Sequence, residues 1–251
     1  MTSPRASSAA SRLSVIIPTL QEEKLIVQTL NQFTPLLREK YNIELIVSDG
    51  GSTDRTIELA RPFADCIVEH RHPFKQNISM GRNRGAEAAR GTILFFLSAD
   101  GIIADPDSFF STMSTLAAKP DIAAATCRVV IPPDQETLKD TLYHGFFNWY
   151  FRLLNVLGMG MGRGECHVMR AEVFRSVGGY NESIAAGEDF ELFMRLGKTG
   201  KISFVRELTI YESPRRYRRY GYIRITLLWL LNGLGVLLFH RALVREWKPV
   251  R

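Results

Sequence analysis

Cysteine is scarce in this chain of 251 residues. Cys66, Cys127 and Cys166 stand far apart and form no CxxC pair, which excludes a disulfide framework and a cysteine-built zinc site. No glycine cluster has the GxGxxG spacing of a dinucleotide-binding turn, because the glycines between Gly158 and Gly164 simply alternate with other residues. Long apolar runs are almost as rare. The stretch LSVIIP near the N-terminus is too short, and too soon broken by Pro18, for a signal-peptide core. The small polar segment before it, MTSPRASSAAS, therefore reads as a loose cytoplasmic N-terminus. Internal repeats are absent, and nothing beyond the first dozen residues is of low complexity.

What the chain does have is apolar and basic character. Hydrophobic residues make up 45% of it, enough to bury a large core, and the length suits one α/β domain with an appendage. The formal net charge is +6. Much of that excess lies in Arg215-Arg216-Tyr217-Arg218-Arg219, directly before the most apolar segment. Such an order points to a phosphate-bearing ligand or a membrane surface ahead of nucleic acid.

Strand and helix signals alternate through the first half. Leu13 to Pro18 and Ile43 to Val47 are β-branched runs, each followed by polar turn residues. Between them Leu25, Thr29, Leu30, Phe33 and Leu36 or Leu37 recur at three and four residues, predicting one helix with an apolar face. A third strand is expected at Cys66 to Glu69, a small-residue helix from Ser79 to Arg90, and a strand at Ile93 to Leu97. Nearly continuous apolar strands separated by helices imply an α/β fold, a mostly parallel sheet with helices on both faces. Farther on, Ala123 to Ile131 reads as a strand, Tyr143 to Leu157 as an aromatic helix, and Gly158 to Gly164 as a flexible loop. Arg170 to Ser176 and a segment starting near Glu188 read as helices.

Sheets of this kind bind ligands at the carboxyl ends of their strands. Three polar turns fall there: Pro18-Thr19, Ser48-Asp49-Gly50-Gly51-Ser52 and Ser98-Ala99-Asp100. Asp49 comes just as its strand ends, a place suited to accept hydrogen bonds from a base or ribose, although the whole turn is also ordinary strand-to-helix chemistry. Arg82 and Asn83 open a helix of small side chains, where Arg82 and Arg84 could bond a diphosphate or base. Glu188 and Asp189 lie in the first turn of another helix, where the dipole favours acids; a carboxylate held there could equally act as a general base.

In this order the turns resemble a family 2 glycosyltransferase of the GT-A fold over roughly Leu13 to Arg206. The resemblance is carried by SVIIPTLQEE, SDGGSTDRT, RNRGAEAARG, FFLSAD and VGGYNES…EDFELFMRL. It implies a Rossmann-like GT-A domain over 13–210, between a flexible 1–12 and a helical extension, basic then apolar, over 211–251. The implied reaction moves a sugar from a nucleoside-diphosphate donor, UDP- or GDP-linked, to a glycan or lipid-linked acceptor with inversion. Residue by residue, Pro18, Thr19 and Glu22 match the edge that contacts the base, and Asp49, with Ser52 in its turn, the part that reads base or ribose. Arg82 and Asn83 fall at donor contacts, Ser98-Ala99-Asp100 at the DxD, and Asp189, with Glu188 before it, at the catalytic base. Asp100 is then the implied ligand of Mg²⁺ or Mn²⁺, with Ser98 replacing one of the two usual carboxylates and weakening the site. His144, His167 and His240 are further ligand candidates. The QxxRW motif of processive members is absent, which implies single additions.

The C-terminal segment from Ile225 to Phe239 would span roughly 22 Å as a helix, short of the ~30 Å hydrocarbon core. It is expected to lie in a membrane interface, to form a short or tilted span, or to pack on its own domain or a second subunit. The preceding arginines match the inner, cytoplasmic face of a membrane. From their position Arg215 and Arg216 could also grip the donor diphosphate or a lipid phosphate. A non-catalytic nucleotide-sugar-binding subunit, with Ser98 as the mark of a decayed site, is the alternative.

Overall fold

A computed structural model of the chain describes residues 12–184 and 186–239. Except for Arg12, the N-terminus expected to be loose lies outside the described residues, as do His240 and the rest of the tail. The first half runs β1 (Leu13–Thr19), α1 (Ile26–Asn31), α2 (Pro35–Lys40), β2 (Ile43–Asp49), α3 (Thr56–Ala60), β3 (Cys66–Glu69), α4 (Ile78–Ala88), β4 (Ile93–Leu97) and β5 (Ile102–Ile103). It continues through α5 (Pro106–Ala117), β6 (Ile122–Val130), α6 (Leu138–Val156), β7 (Cys166–Arg170), α7 (Ala171–Ser176) and α8 (Glu188–Leu196). The end is β8 (Lys201–Tyr211), α9 (Arg215–Tyr220) and α10 (Tyr222–Phe239).

One sheet holds all eight strands in the order β3-β2-β1-β4-β7-β6-β8-β5. Four neighbouring pairs are parallel, and β4–β7, β6–β7 and β5–β8 are antiparallel, so the mostly parallel sheet expected from the sequence is present. Both faces are covered, and the period of two divides each strand between them. Val15, Ile17, Phe95 and Leu97 face one core with Phe109 and Phe110 of α5. Ile16, Leu94 and Phe96 face the other, with Phe174 of α7 and Phe193 of α8.

The single helix expected from Leu25 to Leu37 is in fact two. Pro35 has no N–H to continue the ladder, and Thr34 caps the second helix by accepting from the Leu37 N–H at 3.3 Å. Helix α6 starts earlier than its aromatic run suggests, because Thr137 and Asp140 close a capping box. Strand β7 falls between the expected loop and helix, sharing only Arg170 with the latter, and β8 lies in a segment for which no strand was expected. Among the described residues no helix is long and apolar enough to cross a membrane.

Candidate active site

The carboxyl ends of β1, β2 and β4 meet α9 and the first turn of α8. After β4 the chain turns at Ser98, with the Gly101 N–H bonded to the Ser98 carbonyl at 3.0 Å. Helix α1 pins this turn: Thr29 Oγ1 donates to the Ala99 carbonyl at 2.7 Å and Gln32 Nε2 to the Gly101 carbonyl at 3.0 Å. The Ala99 side chain is buried in the core and the Ser98 hydroxyl is buried beside it, while the Asp100 carboxyl keeps partial exposure. Ser98 Oγ sits close enough to favour the ionised Asp100 carboxyl, yet makes no hydrogen bond of good geometry.

Arg215 dominates this corner. Its guanidinium forks onto both oxygens of Glu22 at 2.9 and 2.8 Å and lies 3.3 Å from Asp100 Oδ2. Burial raises the Asp100 carboxyl above its usual range; Arg215 opposes this, and Glu22 and Glu165 reinforce it. Arg216 is shifted the other way, its guanidinium penalised by burial while Asp100 favours its charge. Glu22, Asp54, Ser213 and Arg215 line a cleft of about 330 Å³ beside them. A larger groove of about 750 Å³ lies among Arg152, Gly200 and Lys201, at the opposite end of β8, and holds none of these residues.

Asp49, expected at the base or ribose, also holds its own turn together. Its carboxylate accepts from the N–H groups of Gly51 and Ser52, both at 2.8 Å, from Ser52 Oγ at 2.6 Å and from Thr19 Oγ1 at 3.3 Å. Asp49 is almost fully buried, as are Pro18 and Thr19. Ser52 Oγ also accepts from the Gln21 N–H at 2.8 Å, tying the first two turns together.

Arg82 and Asn83, expected at the donor, likewise hold protein. Arg82 reaches Glu188 Oε1 at 2.7 Å and the Gly164 carbonyl at 2.9 Å, and it stacks 5.0 Å from the Tyr180 ring centre. Asn83 clamps the Tyr180 backbone through both its N–H and its carbonyl, each bond 2.9 Å long. The carboxyl of Asp189, next to Glu188, is left without a cationic partner of its own. Burial, and then the charge of Glu188, push it up to about 7 against the pull of Arg82. A Cβ on Gly164 would stand 2.9 Å from Arg82 Nη2 and 3.8 Å from Asp189 Oδ2, so only glycine leaves this wall clear.

Sequence reading missed the acidic and basic groups behind the cleft. The Glu165 charge disfavours ionisation of Asp100, Asp189 and Glu212. Arg163 Nε lies 3.4 Å from Glu165, while its Nη2 bonds Glu212 and reaches Tyr217 Oη at 3.2 Å. The available signal was the charged triplet Arg163-Gly164-Glu165, which closes the glycine-alternating stretch. His144 and His167, named as ligand candidates, are both fully buried, His144 against Arg163 at 3.2 Å and His167 against Tyr180 Oη at 2.6 Å. Burial and Arg163 bring His144 down to about 3, so it stays neutral. Among the described residues no three His, Cys, Asp or Glu side chains converge as a metal site.

Comparison with known proteins matches residues 14–178 to Glycosyl transferase family 2. The succinoglycan biosynthesis protein ExoA of Rhizobium meliloti (strain 1021) is 30% identical over 270 residues, covering 100% of this chain and 77% of that protein. Validoxylamine A glucosyltransferase of Streptomyces hygroscopicus subsp. limoneus is 26% identical, covering 84% of this chain, which spans only 53% of that enzyme. Among solved structures, the Pyrobaculum calidifontis mannosyltransferase PcManGT, in complex with GDP-Man and Mn²⁺, superposes with a TM-score of 0.71 at 19% identity, over 96% of this chain and 66% of that one. Glucosyl-3-phosphoglycerate synthase from Mycobacterium tuberculosis, with Mn²⁺, UDP and phosphoglyceric acid, gives 0.62 at 20% identity, over 92% and 78%. Both share the GT-A fold with this chain.

Proposed function

The chain belongs to glycosyl transferase family 2, and from that premise we propose that it moves a sugar from a UDP- or GDP-linked donor to an acceptor hydroxyl, with inversion at the anomeric carbon. Asp189 takes the proton from the acceptor oxygen as that oxygen attacks. The bond from the anomeric carbon to the diphosphate breaks, and the diphosphate leaves with the electron pair toward Asp100, Arg215 and Arg216. The observation that carries this reading is Asp189 itself, a carboxyl lifted to about 7 beside an Arg82 guanidinium that is committed to Glu188. A base of that affinity accepts a proton near neutrality and is regenerated easily. Its presence favours a hydroxyl acceptor over a lipid phosphate, which is already ionised and needs no base. Glu188, held by Arg82, positions Asp189 and keeps its proton affinity high.

The residues at Asp100 fit Mg²⁺ or Mn²⁺. Two carboxylates, Asp100 and Glu22, bracket a position now held by a cation, the Arg215 guanidinium, and the buried Ser98 hydroxyl beside them makes no hydrogen bond of good geometry. Asp100 would hold the ion with Glu22 beside it, and when bound the ion would offset the charge of the departing diphosphate. Arg215 and Arg216 supply cationic charge to the same diphosphate.

Thermal-shift measurements with UDP- and GDP-sugars, with and without Mn²⁺, followed by transfer assays on the best ligand, test the proposal. A donor that raises the unfolding temperature and is consumed only when acceptor is present supports it. A donor that binds but is never consumed with any glycan or lipid-linked acceptor supports the alternative of a non-catalytic binding subunit.

A further inference from the structure

The arginine run divides, and only part of it is left for a membrane. Arg215 turns into the site, and Arg218 turns onto α6, where it bonds both carboxylate oxygens of Asp140 at 3.0 and 2.5 Å. The surface left for a membrane is therefore a different one. Helix α6 carries two apolar stripes: opposite its buried Phe147, Phe151 and Leu154, it exposes Leu138, Leu142, Phe146, Trp149, Leu153 and Val156, each by at least 38%. The spacing of those six by three and four residues makes one continuous ridge. Helix α10 repeats the arrangement, burying Ile225 and Val236 and exposing Ile223, Leu227, Leu230, Leu234 and Leu237.

The two helices are neighbours. Tyr143 Oη and Thr226 Oγ1 lie 3.0 Å apart, and the Phe147 and Trp229 rings are 5.4 Å apart. Twelve of the sixteen large apolar side chains exposed among the described residues belong to this pair. Monomeric surfaces scatter such residues, so a concentration of this kind marks a contact with something apolar.

Charge selects the occupant. The only carboxylate on either helix is Asp140, buried and held by Arg218, whereas Lys139, Arg152 and Arg224 are exposed. At the start of α10, Arg219 and Arg224 flank the Tyr220 ring at 5.7 and 5.3 Å, an aromatic-basic cluster suited to lipid headgroups. A second copy docking by the same face would bring identical cations together. Helix α10 also lies along its own domain, with Asn232 and Val236 against Gly187, and does not project from it. We propose that α6 and α10 together form a monotopic docking face for an anionic bilayer surface, with both helices lying in the interface. The inference stands on surface chemistry alone and is independent of the transferase reading.

The test is flotation of the full chain with vesicles of phosphatidylcholine plus phosphatidylglycerol, against phosphatidylcholine alone. The protein is expected to float with the anionic vesicles, less so at high salt, and its tryptophan emission to shift to the blue. Trp149→Phe should remove most of that shift and keep binding. Leu142→Glu and Leu234→Glu, both on exposed positions, should each weaken partitioning by about tenfold or more, with thermal stability unchanged. Absence of flotation, or flotation with no Trp149 contribution and no loss in either glutamate variant, overturns the proposal. So does a dimer in light scattering that Leu142→Glu dissociates, since a second copy would then own the face.

Discussion

The two halves of the cleft are built on opposite principles. On the side of β1 and β2 the carboxylates are answered: Asp49 takes three hydrogen bonds from its own turn and one from Thr19, and Asp54 is held below the usual carboxylate range, against the cost of its burial, by Thr56 and the Glu23 N–H. On the side of α8 and the strand β7, acids outnumber the cations that could answer them. Asp189 and Glu212 are pushed up to about 7 and about 8, burial first and neighbouring acids next, though Arg82 and Arg163 pull against this. A satisfied half suits a preformed cradle for a constant part of a ligand. An overcharged half suits proton transfer, because its groups change state near neutrality.

The largest effect is expected from Asp189→Asn, which removes the base and leaves the volume unchanged. Turnover should fall on the order of 10²–10⁴-fold, with circular dichroism and thermal unfolding as in the parent. Next comes Arg163→Ala, which strands Glu212 and Glu165 in the interior. Loss of one partner of a buried pair costs about 3–5 kcal/mol, to be read from urea unfolding, whereas Arg55→Ala on the exposed Glu58 pair should cost less than about 1 kcal/mol.

The pH dependence takes opposite signs at Asp189 and at Asp140 of α6, which lies outside both halves of the cleft. Asp189 has a folded affinity raised above its unfolded value, so the native state holds more protons and this group erodes stability as pH climbs from about 4 to about 7. Turnover rises over the upper part of the same window, and Asp189→Asn should flatten both profiles. Asp140 is the opposite case: burial opposes its charge, but Arg218, Thr137 and Tyr222 hold it below the usual range. Its stabilisation is present above about pH 4 and fades as pH falls further; Asp140→Asn should remove that acid limb. The smallest effect, about 1 kcal/mol, is expected from Thr34→Ala at the start of α2, measured by thermal unfolding.

The first half of the fold was legible because its strands are apolar runs and its turns are punctuated by Ser, Asp and Gly. Pro35 was visible too, but the apolar spacing on either side of it masked the break. Strand β7 escaped because CHVMR is short, mixed in polarity and buried, and an antiparallel insertion has no local signature. Asp100, Asp189 and Arg215 could be singled out from position. Glu165 and Glu212 could not, since each gains its meaning from side chains far away in sequence. Whether Asp49 caps its turn or reads a ligand depended on the rotamer of a single carboxylate, about which spacing says nothing.

Helix α9 is only six residues long, yet Arg215 grasps Glu22 and Asp100, Tyr217 bonds Glu212, and Arg218 holds α6 through Asp140. One short element thus touches the Asp100 corner, the buried charge network and the root of the apolar ridge. Linkage makes any communication through it reciprocal. If contact at α6 shifts α9 and alters donor affinity by some factor, donor binding must change affinity for that contact by the same factor. A saturating donor would then act as a thermodynamic clamp, governing how long the protein dwells where it has landed.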